Sequence, residues 1–390
     1  MRLVAHPNRV EIARYLLSRG LDSETLVPSE QALSLPAAHE RVAIEFPDGL
    51  APQLSGPDDP PDADSPLPAA DAVVITWTVD ELAGLARVFT PGQSAANWTG
   101  YSHQFGTFAP NIRPTAPSAH SKRLGSYRQV RIGNLNVLCF KSELHLNQDG
   151  VRRQPGTATL PVKDLFKQII AETGARYVIT TGTAGSVLET CQLGDVVVTR
   201  AAKFRLRQEF RNEPYNDQVF TSDWTIPTTH LEDAEALMST FSNKIVEPPF
   251  GPPTTNFAFN GPPIPPSEPN APDIKLEQDG RDLPEWHPIL TTDYFEYGTT
   301  TNKLGDEGCG VEMGDAALGL ACSELAEPPH WLVVRNMSDP LINGQIPAKQ
   351  YLLNEQTTWA VGYYTSYGEW TSVMSAFATW GVLAGISQGD

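Results

Sequence analysis

Basic residues are scarce: 28 Lys and Arg stand against 46 Asp and Glu, a formal charge of −18 over 390 residues. A chain of this sign repels phosphate backbones and anionic lipid, so neither nucleic acid nor a membrane surface is an expected partner. Cysteine is nearly absent as well. Cys139, Cys191, Cys309 and Cys322 are far apart and form no CxxC pair, which predicts neither a disulfide framework nor a zinc site and fits a reduced, cytoplasmic setting. Long apolar runs are missing too. The longest nearly uncharged one, Val373 to Ile386, falls short of the roughly 18–20 residues of a membrane span and reads as a buried C-terminal helix. At the start, Val10, Ile12, Tyr15, Leu16 and Leu17 sit among charges, which predicts a short amphipathic helix rather than a signal peptide.

Proline is what the chain has in excess, 34 residues, about 9% against an average of about 5%. Two clusters hold much of it, Pro47 to Pro68 and Pro248 to Pro272, and neither can carry a continuous helix or a central strand. The first reads as an acidic linker closing an N-terminal segment, residues 1–68. The second reads as an insertion at about 244–275 in one catalytic domain, 69–390. No internal repeat is visible.

Outside these clusters the pattern is regular. Asp71 to Ile75 is a short β-branched run suited to a strand buried on both faces, and Val79 to Phe89 follows with helical spacing. Tyr127–Ile132 and Asn136–Phe140, split by Gly133-Asn134, predict a hairpin. Pro161 to Thr173 places Val162, Leu165, Phe166, Ile169 and Ile170 on one helical face, with Pro161 at its start and Gly174 just past its end. Strands are predicted at 177–180, 195–199 and 331–335, and a helix over 312–325. Alternating strands and helices imply an α/β layered fold with a mainly parallel sheet, whose ligands sit beyond the C-terminal strand ends.

Three polar segments lie at such ends. Thr76 to Glu81 follows the first strand; an acid there also suits the first turn of a helix for its dipole alone. Thr180 to Ser186, with Gly182 and Gly185, lets backbone approach a ligand or simply turns; without a following Gly-Lys-Ser/Thr it is no phosphate loop. Arg335 to Pro340 ends in Ser-Asp-Pro, itself an ordinary turn signal.

Together, Tyr177–Thr199 (YVITTGTAGSVLETCQLGDVVVT), Val311–Ala321 (VEMGDAALGLA) and Val334–Asp339 (VRNMSD) resemble the nucleoside phosphorylase and nucleosidase superfamily, most of all its methylthioadenosine/S-adenosylhomocysteine nucleosidases. The resemblance spans roughly 71–386. It implies a three-layer phosphorylase/hydrolase-like fold with a central mixed, mainly parallel sheet, and a homo-oligomer, dimer or larger. It needs no cofactor and no metal. It assigns Glu81 to activating water, Gly182 and Thr183 to the ribose and nucleophile, and Phe295 to stacking on the base. Glu312, Met313 and Asp315 fall on the ribose, and Asp339 near purine N7. Cleaving an N-ribosidic bond needs a proton on the leaving base and a nucleophile on the far face of the sugar, which two opposed carboxyls supply. Asp339 is then the acid, with a pKa raised by burial, and Glu81 the base.

Two departures shape the substrate. Where phosphorylases of this superfamily carry arginines, the chain has Thr180 and Trp77-Thr78, which favours water over phosphate. Gly314 stands where related nucleosidases have an acid, leaving Glu312 or Asp315 to meet the hydroxyls. Lys203, Arg205 and Arg207 alternate on one strand, which reads either as a salt-bridged edge or as a 5′-phosphate site; Ser338 to Gly344 loosely resembles AMP nucleosidases. The expectation is an adenine-releasing hydrolase of a purine nucleoside or nucleotide, of the methylthioadenosine, AMP or ATP type. The alternatives are a phosphate-dependent phosphorylase and a non-catalytic nucleoside-binding protein.

Overall fold

The computed structural model describes residues 43–57, 61–242, 272–277, 288–347 and 355–389. The expected N-terminal amphipathic helix and most of the proline-rich insertion lie outside the described residues. The Pro47–Pro68 stretch, read as a linker, is in part structured. Gln53–Leu54 forms a short edge strand (β1), Leu50 is buried, and its carbonyl accepts the Trp380 indole N–H at 2.9 Å.

The first buried strand is Ala72–Thr76 (β2), followed by helix Val79–Phe89 (α1). Thr78 accepts from the Glu81 N–H, and the Glu81 carboxylate accepts from the Thr78 N–H, a capping box that fixes where the helix begins. Thr99–Tyr101 (β3) leads to the hairpin Gly125–Ile132 (β4) and Leu135–Ser142 (β5). Helix Pro161–Thr173 (α2) has the boundaries its sequence predicts. Gly174 ends it at φ 61° with its N–H on the Ile170 carbonyl, the left-handed cap that glycine adopts without strain.

Tyr177–Gly185 (β6), Val196–Thr199 (β7), Ala201–Arg205 (β8) and Val219–Thr221 (β9) follow, then helix Glu232–Ser242 (α3) and strands Ile274–Glu277 (β10), Ile289–Thr292 (β11) and Gly310–Glu312 (β12). Because Gly310–Glu312 pairs with β11, the helix expected from 312 starts later, at Asp315–Ser323 (α4). His330–Asp339 (β13) and the 35-residue helix Glu355–Gly389 (α5) complete the order.

Among the described residues these strands form one mixed sheet, with the central neighbours β5, β2, β6 and β13 all parallel. Alternate side chains of each strand enter opposite cores. Val73, Ile75, Val178 and Val333 pack towards α2 and α4; Val74, Ile179, Leu332 and Val334 pack towards α1, α3 and α5. The chain is therefore an α/β fold of three layers. β6 and β13 both run further than predicted, because they pair with each other from Tyr177 and His330 to Gly185 and Asp339. Thr180 to Gly185, read as a close approach to a ligand or a turn, is thus the paired end of a strand. No helix among the described residues is long and apolar enough to cross a membrane.

Candidate active site

The C-terminal ends of β2, β6 and β13, with β12 and α5, line a narrow cleft that opens to solvent. Glu81, Thr183, Phe295, Glu312, Met313 and Asp339 all line it. Glu81 and Asp339, 258 residues apart in sequence, share this cleft because parallel strands deliver their ends to one edge of the sheet.

Glu81 is buried and its oxygens are fully engaged. Oε2 accepts from the Trp77 and Thr78 N–H groups at 2.9 and 2.8 Å and from the Thr76 hydroxyl at 3.1 Å. Oε1 accepts from the Thr183 N–H at 2.7 Å and its hydroxyl at 2.8 Å, with Arg335 Nη1 at 3.4 Å. Burial alone would raise its pKa, but Arg335 and the backbone donors of Thr183, Thr78 and Trp77 outweigh it and hold the carboxyl below its ordinary range.

Arg335 is the hub of this end. Its Nε and Nη2 bind the two Asp315 oxygens at 2.8 and 2.6 Å, a bidentate fork, and Nη2 lies 3.4 Å from Glu312. Burial opposes its charge; Asp315, Glu312 and Glu81 overcome that and push its pKa up. Glu312 accepts from the Thr291 hydroxyl and from the Gly314 and Asp315 N–H groups at 2.5 and 3.0 Å, so it caps α4. Burial and then Asp315 push its pKa up, against the pull of Arg335.

Asp339 is built differently. It ends β13, buried, with the Ser338 hydroxyl 3.0 Å from Oδ1, while Oδ2 has no partner among the described residues. Burial pushes its pKa up to about 7 and Ser338 pulls only weakly the other way. The two carboxyls approach β6 at different points: a Cβ at Gly182 would collide with Glu81 Oε1, and one at Gly185 would lie 2.8 Å from Asp339 Oδ2. Gly182 itself does not line the cleft; its lack of a side chain admits Glu81.

The phosphorylase superfamily model matches residues 103–344. The chain belongs to the phosphorylase superfamily. No curated protein matches it. Similar solved structures include futalosine hydrolase of Helicobacter pylori, 12% identical over 80% of this chain and 97% of that one with a TM-score of 0.43. The Neisseria meningitidis 5′-methylthioadenosine/S-adenosylhomocysteine nucleosidase in complex with methylthio-immucillin-A is 14% identical over 80% and 99%, with a TM-score of 0.44. The Streptococcus pyogenes S-adenosylhomocysteine nucleosidase in complex with 5-methylthiotubericidin is 14% identical over 82% and 98%, with a TM-score of 0.42.

Within this superfamily member, the basic strand does not reach the cleft. Lys203 pairs with Glu307 at 3.1 Å, Arg205 with Glu296 at 2.5 Å and Glu307 at 3.4 Å, and Arg207, beyond the end of β8, with Asp217 at 2.9 Å. The alternation was legible, but the partners were not. None of the three lines the cleft, although Glu296 does. Sequence reasoning also passed over Trp77, His145, Ser338 and Tyr364 as lining residues, and Arg335 as the hub. Arg335 carried a signal, a charge closing an apolar strand that only buried carboxylates could neutralise; His145 carried none. Burial pulls His145 down to about 4, with Nδ1 on Asn147 at 2.8 Å, so it is neutral near pH 7. Tyr364, on α5, also lines the cleft. Among the described residues no group of three or more His, Cys, Asp or Glu side chains is placed to hold a metal ion.

Proposed function

We propose that the protein is a purine nucleosidase that hydrolyses the N-ribosidic bond of an adenine nucleoside. The observation carrying this reading is that two carboxyls of one cleft are pushed in opposite directions, Glu81 down and Asp339 up to about 7, the arrangement that separates an acid from a base. Asp339, protonated near neutral pH with Oδ2 free, delivers a proton to the departing purine. The Thr183 hydroxyl yields its place on Glu81 Oε1 to a water and orients it towards the opposite face of the sugar, and Glu81 draws off its proton as the bond to the anomeric carbon forms. Phe295, half-buried beside Tyr297 at 6.0 Å, offers the base a stacking face. The choice of adenine rests on the resemblance of Val311–Ala321 and Val334–Asp339 to adenine-releasing nucleosidases.

Water is favoured as nucleophile because Arg335 is the one cation among the described lining residues, and its fork is filled by Asp315. The same lack of an unpaired cation favours a nucleoside with an uncharged 5′ end over a nucleotide. The test is base release from adenosine, methylthioadenosine, AMP and ATP, with and without inorganic phosphate. Free adenine and ribose in the absence of phosphate are expected, with AMP and ATP the poorer substrates. Strict phosphate dependence with ribose 1-phosphate as product would make it a phosphorylase. No base from any substrate overturns the enzymatic reading.

A further inference from the structure

The carboxylates at the Arg335 end of the cleft are spent inside the protein. Both Asp315 oxygens hold the Arg335 fork, both Glu312 oxygens accept from the start of α4, and Glu81 is saturated. A sugar arriving there finds none of them free without breaking the network. One polar group at that end is unspent. The Trp77 indole N–H is buried, in a side chain only 3% exposed, and has no acceptor among the described residues. A donor left in that state is costly unless something supplies an oxygen.

The ring carrying it is held on three sides. The Arg335 guanidinium lies over it at 4.8 Å and Phe166 meets it edge-on at 6.1 Å. On the third side is Gly314, where a Cβ would stand 2.9 Å from Cζ2 and 3.2 Å from Cε2, the atom bonded to the N–H nitrogen. Glycine at 314 and tryptophan at 77 therefore form a size-matched pair. A side chain at 314 would displace the indole, and the indole occupies the space a side chain at 314 would use.

We propose that Trp77 Nε1 donates a hydrogen bond to a hydroxyl oxygen of the substrate sugar, making Trp77 the sugar-positioning donor of this cleft in place of Glu312 and Asp315. This rests on the nucleosidase reading. The donor can be removed while the aromatic surface over Arg335 is largely kept, by Trp77→Phe. With adenosine as the parent substrate, the comparison is with its 2′-deoxy and 3′-deoxy analogues. Wild type should lose about tenfold in kcat/KM on one of the two analogues, the worth of one neutral hydrogen bond. Trp77→Phe should lose about as much on adenosine, mainly through KM, and almost nothing further on that same analogue, so the two losses do not add.

Equal losses for Trp77→Phe on all three substrates would mean the ring only supports the fold and would overturn the proposal, as would no loss at all. Gly314→Ala supplies a second reading should Trp77→Phe not fold. It should raise KM for adenosine and reduce the penalty for the missing hydroxyl, and an unchanged penalty would count against the assignment. If wild type releases no base from adenosine, the catalytic reading has failed. The same cycle measured by calorimetric binding of adenosine and its deoxy analogues then decides the role of Trp77 separately.

Discussion

The two ends of the cleft solve the burial of a carboxyl in opposite ways. At the Glu81 end, a buried acid is surrounded by five hydrogen-bond donors and the Arg335 guanidinium, and it stays ionised. At the Asp339 end, an equally buried acid has Ser338 beside one oxygen and nothing on the other, and it holds its proton to about pH 7. Burial is common to both, so burial by itself does not set the protonation state. The donors and the neighbouring charges of either sign do, as Glu312, raised beside Asp315 despite its donors, also shows.

The sharpest way to break that comparison is to neutralise each acid in turn. Asp339→Asn should lower kcat by about 10^2–10^4, the usual worth of a general acid, without loss of thermal stability. The sign follows from linkage. The Asp339 pKa is higher in the folded state than in the unfolded, so wild type loses stability as pH climbs from the ordinary aspartate range towards 7, and asparagine does not titrate. Melting temperatures at pH 8 should therefore be equal or higher in the variant; a clear drop would mean Asp339 is a structural anchor.

Glu81→Gln should behave the other way. Its lowered pKa means the carboxylate adds stability above the unfolded value and loses it as pH falls through the folded one. Replacing it sets an amide NH2 against buried N–H and O–H donors that now lack an acceptor, while Arg335 keeps its Asp315 fork, at a cost of about 1–3 kcal/mol. Urea unfolding at pH 7 checks this, and activity should fall as well. A variant as stable as wild type would dissolve the contrast between the two ends.

The pH profile sharpens it further. Activity should be lost above about pH 7, tenfold per pH unit in kcat/KM, as Asp339 gives up its proton, and on the acid side only below the ordinary carboxylate range, as Glu81 gains one. Ser338→Ala removes the one bond that favours the ionised form, so the alkaline limb should move to higher pH, by up to about one unit. The smallest effect is expected outside the cleft. Lys203→Met breaks a partly exposed pair with Glu307, should shift stability by about 0–1 kcal/mol, and should leave the ratio of AMP to adenosine turnover unchanged. A selective loss with AMP would restore the basic strand as a phosphate site.

Much of the fold was legible because it rests on local rules. Pro161 and Gly174 bracket α2, Gly133-Asn134 turns the β4–β5 hairpin, and the β-branched run at 72–76 is a strand buried on both faces. Where reading stopped early, the missing information was non-local. β6 and β13 run on because they pair with each other. α5 begins long before its apolar part, and within it Thr379 and Ser375 bind Thr181 and Asn336 of the sheet. A hydroxyl-rich helix surface of that sort has no apolar stripe to betray it.

The same divide runs through the site. The order of motifs along the chain pointed to Glu81, Thr183, Phe295 and Asp339, and they do line one cleft. Sequence alone thus determined which strand ends line the cleft, since strand, turn and cap are written in neighbouring residues. Tertiary structure decided what each group has left to offer. Arg335 is filled by Asp315, Lys203 and Arg205 are neutralised by Glu307 and Glu296, and the Asp339 oxygen and Trp77 N–H are left without partners. Charge, pKa and spare hydrogen-bonding capacity depend on distances between residues brought together by the sheet, and spacing along the chain does not encode them.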